Sequence, residues 1–344
     1  MRDVNLVTLK EIAREAGVSM TTVSNVINGN AGRVSAATIE RIKEIIRRSG
    51  YVPNQAARSL AQRESHIVAI IAQGHEGENM FRNPYMAEFI GDVTIELQRQ
   101  GYFPLLRFTD DYRDVERDLL GWNVAGAVLC GAFDRNLQYI KGLSSVPAVL
   151  TDTYFPIPDM NYVCVDDLTG GRIAAQYLTD MGHVRLAFIG NSVEESGVDQ
   201  LRLQGFSEEL ARRSLSLSPE NVLTLPEPEH QEAMLRALLD HPAAPTALFC
   251  TADRIAAQII HVLRRQGRSV PQDVSVMGFD DLPLAGMTQP PLTTLGQDIA
   301  GKARAAVDIL VRHICDKTAP AECIQQDVWL VERSSVRRIE SPAN

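Results

Sequence analysis

Apolar side chains recur every third or fourth residue at Leu9, Ile12, Ala13 and Ala16, and the spacing predicts a short amphipathic helix over 9–16. Thr8 stands at its cap with Glu11 three residues on, the spacing of a capping box. Gly17 permits a tight turn and Val18 plugs it. Ser19 then caps a second predicted helix, Met20 to Asn28, which turns Val23, Val26 and Ile27 toward the same small core. A third helix, Ala36 to Arg48, is capped by Ser35, carries Ile39, Ile42, Ile45 and Ile46 on one face and stops at Gly50. Two short helices joined by a glycine turn make a helix-turn-helix, whose second helix enters the major groove. The outward positions of that helix, Met20, Thr21, Thr22, Ser24 and Asn25, are short, polar or flexible, as base-edge readers tend to be. After Pro53 and a possible cap at Asn54, residues 55–61 have room for about two helical turns, too short to hold a helix without support.

From His66 onward the pattern changes. Apolar runs (HIVAII, FPLLRF, GAVLC, PAVLTD) alternate with helical periodicity such as Tyr85 to Gly101. The alternation restarts after Tyr162, with helices at Gly170–Gly182, Gln200–Arg213 and Arg254–Gly267 and strands RLAFIG, TALFC and VSVMGF. Continuous apolar strands between helices predict parallel sheets covered on both faces. Two such series make two lobes with a cleft between them. The expected fold is therefore a small all-α helix-turn-helix head and an α/β two-lobed core of the periplasmic-binding-protein type.

Charge separates the two parts. Residues 1–63 hold ten Lys/Arg against five Asp/Glu, a formal charge of +5 in a chain of −9, so the remainder carries −14. A cationic end on an anionic body is the asymmetry expected when only that end meets phosphate. The apolar content of 45% suffices for large buried cores, no run reaches membrane-spanning length, and the N-terminus enters a polar helix without a secretory pattern. The five cysteines, Cys130, Cys164, Cys250, Cys315 and Cys323, never stand as CxxC and read as reduced core residues of a cytoplasmic protein. No cofactor or metal site is expected, since the glycine-bearing GHEGEN is neither a Walker loop nor GxGxxG.

Candidate chemistry gathers at strand ends, where sheets of this kind bind ligands. Asp152 closes PAVLTD, Asp280 and Asp281 close VMGFDD, and Arg202 opens the helix of LRLQGF. Arginine offers paired donors to hydroxyls or carboxylates, and carboxylates accept from sugar hydroxyls. Asp281 reads as structural and His75 as a solvated loop residue; no Ser/His/Asp or Cys/His set stands at recognisable spacing, so no catalytic residue is named and an enzyme is not expected.

Six motifs, VTLKEIAREAGVSMTTVSNVING, VSAATIERI, GYVPNQAARSL, LRLQGF, VMGFDD and PPLTTLGQD, run in order through residues 7–335. Together they closely resemble the lactose-repressor (LacI/GalR) family of bacterial transcription regulators. The resemblance implies a homodimer on double-stranded, near-palindromic operator DNA, associated with the nucleoid when bound, and regulated by a small effector. It implies DNA contacts from Thr8, Ser19, Met20, Thr21, Thr22, Ser24, Asn25 and Asn28, and from a hinge carrying Asn54, Ala57, Arg58 and Leu60. Leu60 would be the wedge that unstacks a central base step. It implies effector contacts from Asp152, Arg202 and Asp280, with Tyr85 of FRNPYMAE in the pocket floor. Expected boundaries are 1–52 for the head, 53–65 for hinge and linker, and 66–335 for the core. The first lobe would take 66–162 and 297–322, the second 166–286 and 328–335, with crossings near 162–166, 286–296 and 323–328 and a tail from 336 to 344. Asn25 replaces a frequent arginine, so the operator should differ at that base pair. Ala252 before Asp253, and Pro226, Glu227 and Pro228 where an aromatic is common, leave the effector open among sugars, sugar acids, sugar phosphates and other polar metabolites. The rival reading is a cytosolic sugar-binding or sugar-modifying protein with a basic N-terminal extension.

Overall fold

The computed structural model describes residues 7–27, 29–51, 65–74, 79–131, 137–140, 145–153, 159–191 and 197–339. The chain divides into two units, Met1–Ser65 and His66–Asn344.

In the first unit, α1 (Leu9–Ala16), α2 (Met20–Ile27) and α3 (Ala36–Ser49) enclose Ile12, Ala13, Ala16, Val23, Val26, Ile42 and Ile45. The capping box at Thr8 is complete: its hydroxyl accepts from Glu11 N, and Glu11 Oε2 accepts from Thr8 N at 2.7 Å. Gly17 at φ 64° lies in the left-handed region, so the turn into α2 suits a residue without Cβ. Ser19 Oγ accepts from Thr22 N at 3.1 Å and caps α2.

In the second unit, β1 (Ile67–Gln73), α4 (Pro84–Arg99), β2 (Phe103–Thr109), α5 (Val115–Gly121), β3 (Gly126–Cys130), β4 (Ala148–Thr151) and β5 (Asn161–Val165) begin the first lobe. The chain continues with α6 (Asp167–Asp180), β6 (Leu186–Gly190), α7 (Val198–Arg212), β7 (Val222–Thr224) and α8 (Pro228–Leu239). Then come β8 (Ala247–Cys250), α9 (Asp253–Arg265), β9 (Ser275–Asp280), α10 (Pro283–Met287) and β10 (Thr293–Gln297). It closes with α11 (Ile299–Cys315), β11 (Cys323–Gln326) and β12 (Val328–Val331). One sheet runs β11-β5-β4-β3-β1-β2, wholly parallel, and the other β12-β10-β9-β8-β6-β7, parallel except for β12 on β10. Each sheet has an apolar cluster on both faces, which explains strands such as GAVLC that are buried end to end.

Several boundaries differ from the sequence reading. Strand β10 pairs with β9 and β12, so the second lobe runs on to Gln297 and the chain crosses at Asp298, not within 286–296. Strands β5 and β11 both belong to the first sheet, which extends that lobe to Val165 and Gln326. The 336–344 tail is not all tail: Val336 is buried in the second lobe, Ile339 N donates to Met181 O at 2.8 Å, and the His183 ring sits between Thr246 Oγ1 and Arg337 O. Of the five cysteines only Cys130, Cys164 and Cys250 are buried; Cys315 ends a helix and Cys323 lies on an edge strand, both in solvent.

The three crossings are joined side by side. Asp166 N donates to Gln326 O at 2.9 Å, and the Gln326 side-chain amide, turned so that its nitrogen faces Asp298 O, bridges Asp298 O and Lys302 N.

Candidate functional site

At the carboxyl ends of both sheets the second unit holds a cavity of about 180 Å³, lined by Tyr85, Asp152, Arg202, Thr251, Asp280 and Gln297 among others. A larger hollow of about 590 Å³ lies at the amino ends of β6 and β7, beside Val184, Met234 and His241. Position at strand carboxyl ends, rather than size, marks the smaller one as the candidate.

Its first-lobe wall is built at the start of α4. Asn83 caps that helix by accepting from Tyr85 N at 3.2 Å, Pro84 takes the position whose N–H no helix bond needs, and Tyr85 stacks on Phe89. Tyr85 OH donates to Asp152 Oδ2 at 2.6 Å. Asp152 directly follows β4 at φ 53°, a left-handed conformation that turns the carboxylate out of the sheet end. Behind both stands Lys302, fully buried on α11, whose Nζ donates to Asp152 Oδ1 at 2.7 Å, to Tyr85 OH, and to Gln297 Oε1 at 3.2 Å. The three ammonium hydrogens thus have three acceptors, which a buried cation requires. Burial, then the Asp152 charge, holds the Tyr85 phenol well above its usual range, so it stays a donor.

The second-lobe wall depends on two glycines. A Cβ at Gly171 of α6 would lie 2.0 Å from Arg202 O, and one at Gly205 of α7 would lie 1.9 Å from Leu168 O. Their absence lets the helices touch backbone to backbone. That approach brings Arg202 Nε to Asp167 Oδ1 at 2.7 Å, sets its guanidinium carbon 3.3 Å above the centre of the Phe279 ring, and lets Nη1 donate to Thr251 O. Burial raises Asp167 to about 6 despite the Arg202 charge beside it. Asp280 ends β9 at φ 116° and accepts from Gln297 Nε2 at 2.8 Å. Burial drives its carboxyl well above the ordinary range, against the pull of Arg202. Thr251 Oγ1, also buried in the wall, has no hydrogen-bond partner among the described residues. Asp253 faces away, accepting from Thr294 Oγ1 and Leu282 N, and Asp281 pairs with Arg333 at 2.6 Å.

The structure therefore gathers Tyr85, Asp152, Arg202 and Asp280 around one cavity. Sequence reading missed Lys302, Gln297, Asp167 and Thr251. Lys302 did leave a signal: it falls in the apolar stripe of α11 with Ile299, Ala303, Ala306 and Leu310, where an unpartnered lysine would be costly. In the first unit, Met20, Thr21 and Asn25 are exposed, and Thr22 and Ser24 half-buried, on α2; the hydroxyls of Thr8 and Ser19 serve as caps. Asn28, Asn54, Ala57, Arg58 and Leu60 lie outside the described residues, as does His75. Among the described residues no three His, Cys, Asp or Glu side chains are placed to hold a metal, and no helix is long and apolar enough to cross a membrane.

The profile of bacterial regulatory proteins of the lacI family matches residues 8–54, and that of the periplasmic binding protein-like domain matches residues 175–336. The transcriptional regulator CelR of Thermobifida fusca is 32% identical over 95% of this chain and 98% of its own length. The ribose operon repressor of Escherichia coli K12 is 30% identical over 96% of this chain and its whole length. The repressor PurR of Haemophilus influenzae PittEE is 32% identical over 97% of this chain and its whole length. Among solved structures, a CelR–cellobiose complex superposes with a TM-score of 0.71 at 30% identity, covering 96% of this chain and 99% of that one. A lac repressor dimer bound to operator and an anti-inducer reaches 0.85 at 23% identity over 97% and 100%, a likeness of fold.

Proposed function

Because this chain belongs to the lacI family of bacterial regulatory proteins and is a DNA-binding transcriptional regulator, we propose that it is a dimeric repressor whose operator affinity is set by a sugar or sugar derivative in the cleft. One observation carries the effector reading. Two lobes present two carboxyl groups and a stacked arginine to a single cavity of about 180 Å³. The carboxyl oxygens of Asp152 and Asp280 accept from ligand hydroxyls, and Arg202 offers a planar fork. The named relatives point to the same class, since one is complexed with cellobiose and another is a ribose operon repressor.

In the first unit, Met20, Thr21 and Asn25 on α2 are the base-edge readers, and Leu60 takes the wedge position in the minor groove. The effector favours one lobe angle, that angle sets the spacing of the paired hinges in the dimer, and the spacing sets operator affinity.

The test uses the full chain. Sequences selected from random duplex DNA should share a two-fold motif, and binding should weaken steeply with salt. Thermal melting against D-ribose, cellobiose, sugar acids and sugar phosphates should reveal a stabilising ligand whose shift vanishes in Arg202→Ala. Failure to enrich any DNA motif would overturn the repressor reading. A ligand that stabilises wild type and Arg202→Ala equally would overturn the placement of the effector.

A further inference from the structure

Lys302 and Gln297 lie outside every effector contact assigned so far, yet they join the two walls. We propose that they are positioning residues that latch the lobes together at the hinge, tying Asp152 of the first lobe to Asp280 of the second.

Gln297 is the last residue of β10, immediately before the chain crosses at Asp298, and Lys302 is in the first turn of α11 immediately after. The Gln297 amide uses both of its ends. Its Nε2 donates to Asp280 Oδ1 at 2.8 Å and its Oε1 accepts from Lys302 Nζ at 3.2 Å. Lys302 continues the chain to Asp152 Oδ1 at 2.7 Å and to Tyr85 OH, and Tyr85 OH returns to Asp152 Oδ2 at 2.6 Å. Lys302 and Gln297 are buried, so the bond between them acts in a low-dielectric surround that strengthens it. The ammonium lies 4.8 Å from the centre of the Tyr85 ring and 5.4 Å from that of Phe89, which fixes it to the first lobe. Opening the cleft moves β10 and β9 away from α4 and α11, and the link that must part or stretch is the Lys302–Gln297 bond. Lys302 stands behind the cavity wall while Gln297 reaches into it. An effector that engages Asp152 and Asp280 is thus felt at the crossing through groups it need not touch. This inference builds on the proposed effector cleft.

The experiment reads lobe separation without DNA or effector. Nitroxide labels go on exposed Leu120 of the first lobe and Ser216 of the second, in full-length protein with Cys315→Ser and Cys323→Ser, and labelled chains are diluted into unlabelled protein. Gln297→Leu keeps the side-chain bulk and leaves the Lys302–Asp152 pair intact. It should lower the closed-to-open population ratio roughly tenfold, the factor one buried bond to a charged group carries. Lys302→Met should lower it further, and a surface control at the exposed Arg212, Arg212→Gln, should leave it unchanged. A Gln297→Leu distance distribution that superposes on wild type overturns the latch, whether or not Lys302→Met folds. A chain that fails to select any operator would sink the repressor reading and leave this distance measurement standing.

Discussion

The two walls of the cleft pair a carboxylate with a buried cation by opposite means. In the first lobe the cation is Lys302, a compact charge behind the wall with its three hydrogens directed at Asp152, Tyr85 and Gln297. In the second it is Arg202, a planar group in the wall itself, stacked on Phe279 and anchored through one edge to Asp167. A point charge with rotatable donors can collect acceptors from several elements, so it suits joining lobes. A flat fork held by stacking presents a fixed edge, so it suits recognition. The carboxyls divide likewise: Asp152 has a cation on one oxygen and a phenol on the other, whereas burial raises the Asp280 carboxyl well above its ordinary range.

This contrast can be broken by experiment. The largest effect is expected from Arg202→Ala, which leaves Asp167 buried without its cation and should cost about 3–5 kcal/mol of stability, read as the chemical-denaturation midpoint. Gly205→Ala tests the support beneath that arginine. With backbone 1.9 Å from the new methyl carbon, the helices must separate, and a loss of about 3 kcal/mol is expected; a neutral result would mean the approach of α6 and α7 is not what seats Arg202. Next comes pH. Burial lowers His183, between Thr246 and Arg337, from 6.5 to about 4. Its stabilising contribution is present above 6.5 and lost as pH falls toward 4, because the unfolded chain takes the proton first. Asp167, raised to about 6, acts in the opposite sense, contributing stability at low pH that is lost as pH rises through 6. Melting of wild type against His183→Gln between pH 7 and 4 should isolate the histidine, with the gap closing by about 2 kcal/mol. The smallest change is Tyr85→Phe, which removes one acceptor of Lys302 and one donor to Asp152 while keeping the ring on Phe89. About 1–2 kcal/mol should be lost, and a loss as large as that of Arg202→Ala would erase the distinction between the walls.

Much of the fold was legible because local rules and packing agree. The capping boundary at Thr8 and helix 9–16 appear in the structure with the limits read from periodicity and caps. Boundaries failed where the period was too short to see. The four- and five-residue strands β5, β10 and β11 are edge or crossing segments whose lobe is decided by their pairing partners, not by their own side chains. Part of the site was also legible. Asp152 and Asp280 stand where apolar runs end in acids, and Arg202 opens a helix. Gln297 gave no such cue, because a glutamine after a strand looks like any polar loop residue.

The sequence by itself determined the helix-turn-helix head, the alternation that makes two parallel sheets, the charge contrast between head and core, and the family. These follow from periodicity, caps and composition, which act over a few residues at a time. Only the tertiary structure decided that Lys302 faces Asp152 across 150 positions, that glycines on two helices let Arg202 reach Asp167, and that burial raises the Asp280 carboxyl against the pull of Arg202. The energy of a buried charge depends on what surrounds it in space, and residues distant along the chain supply that surround.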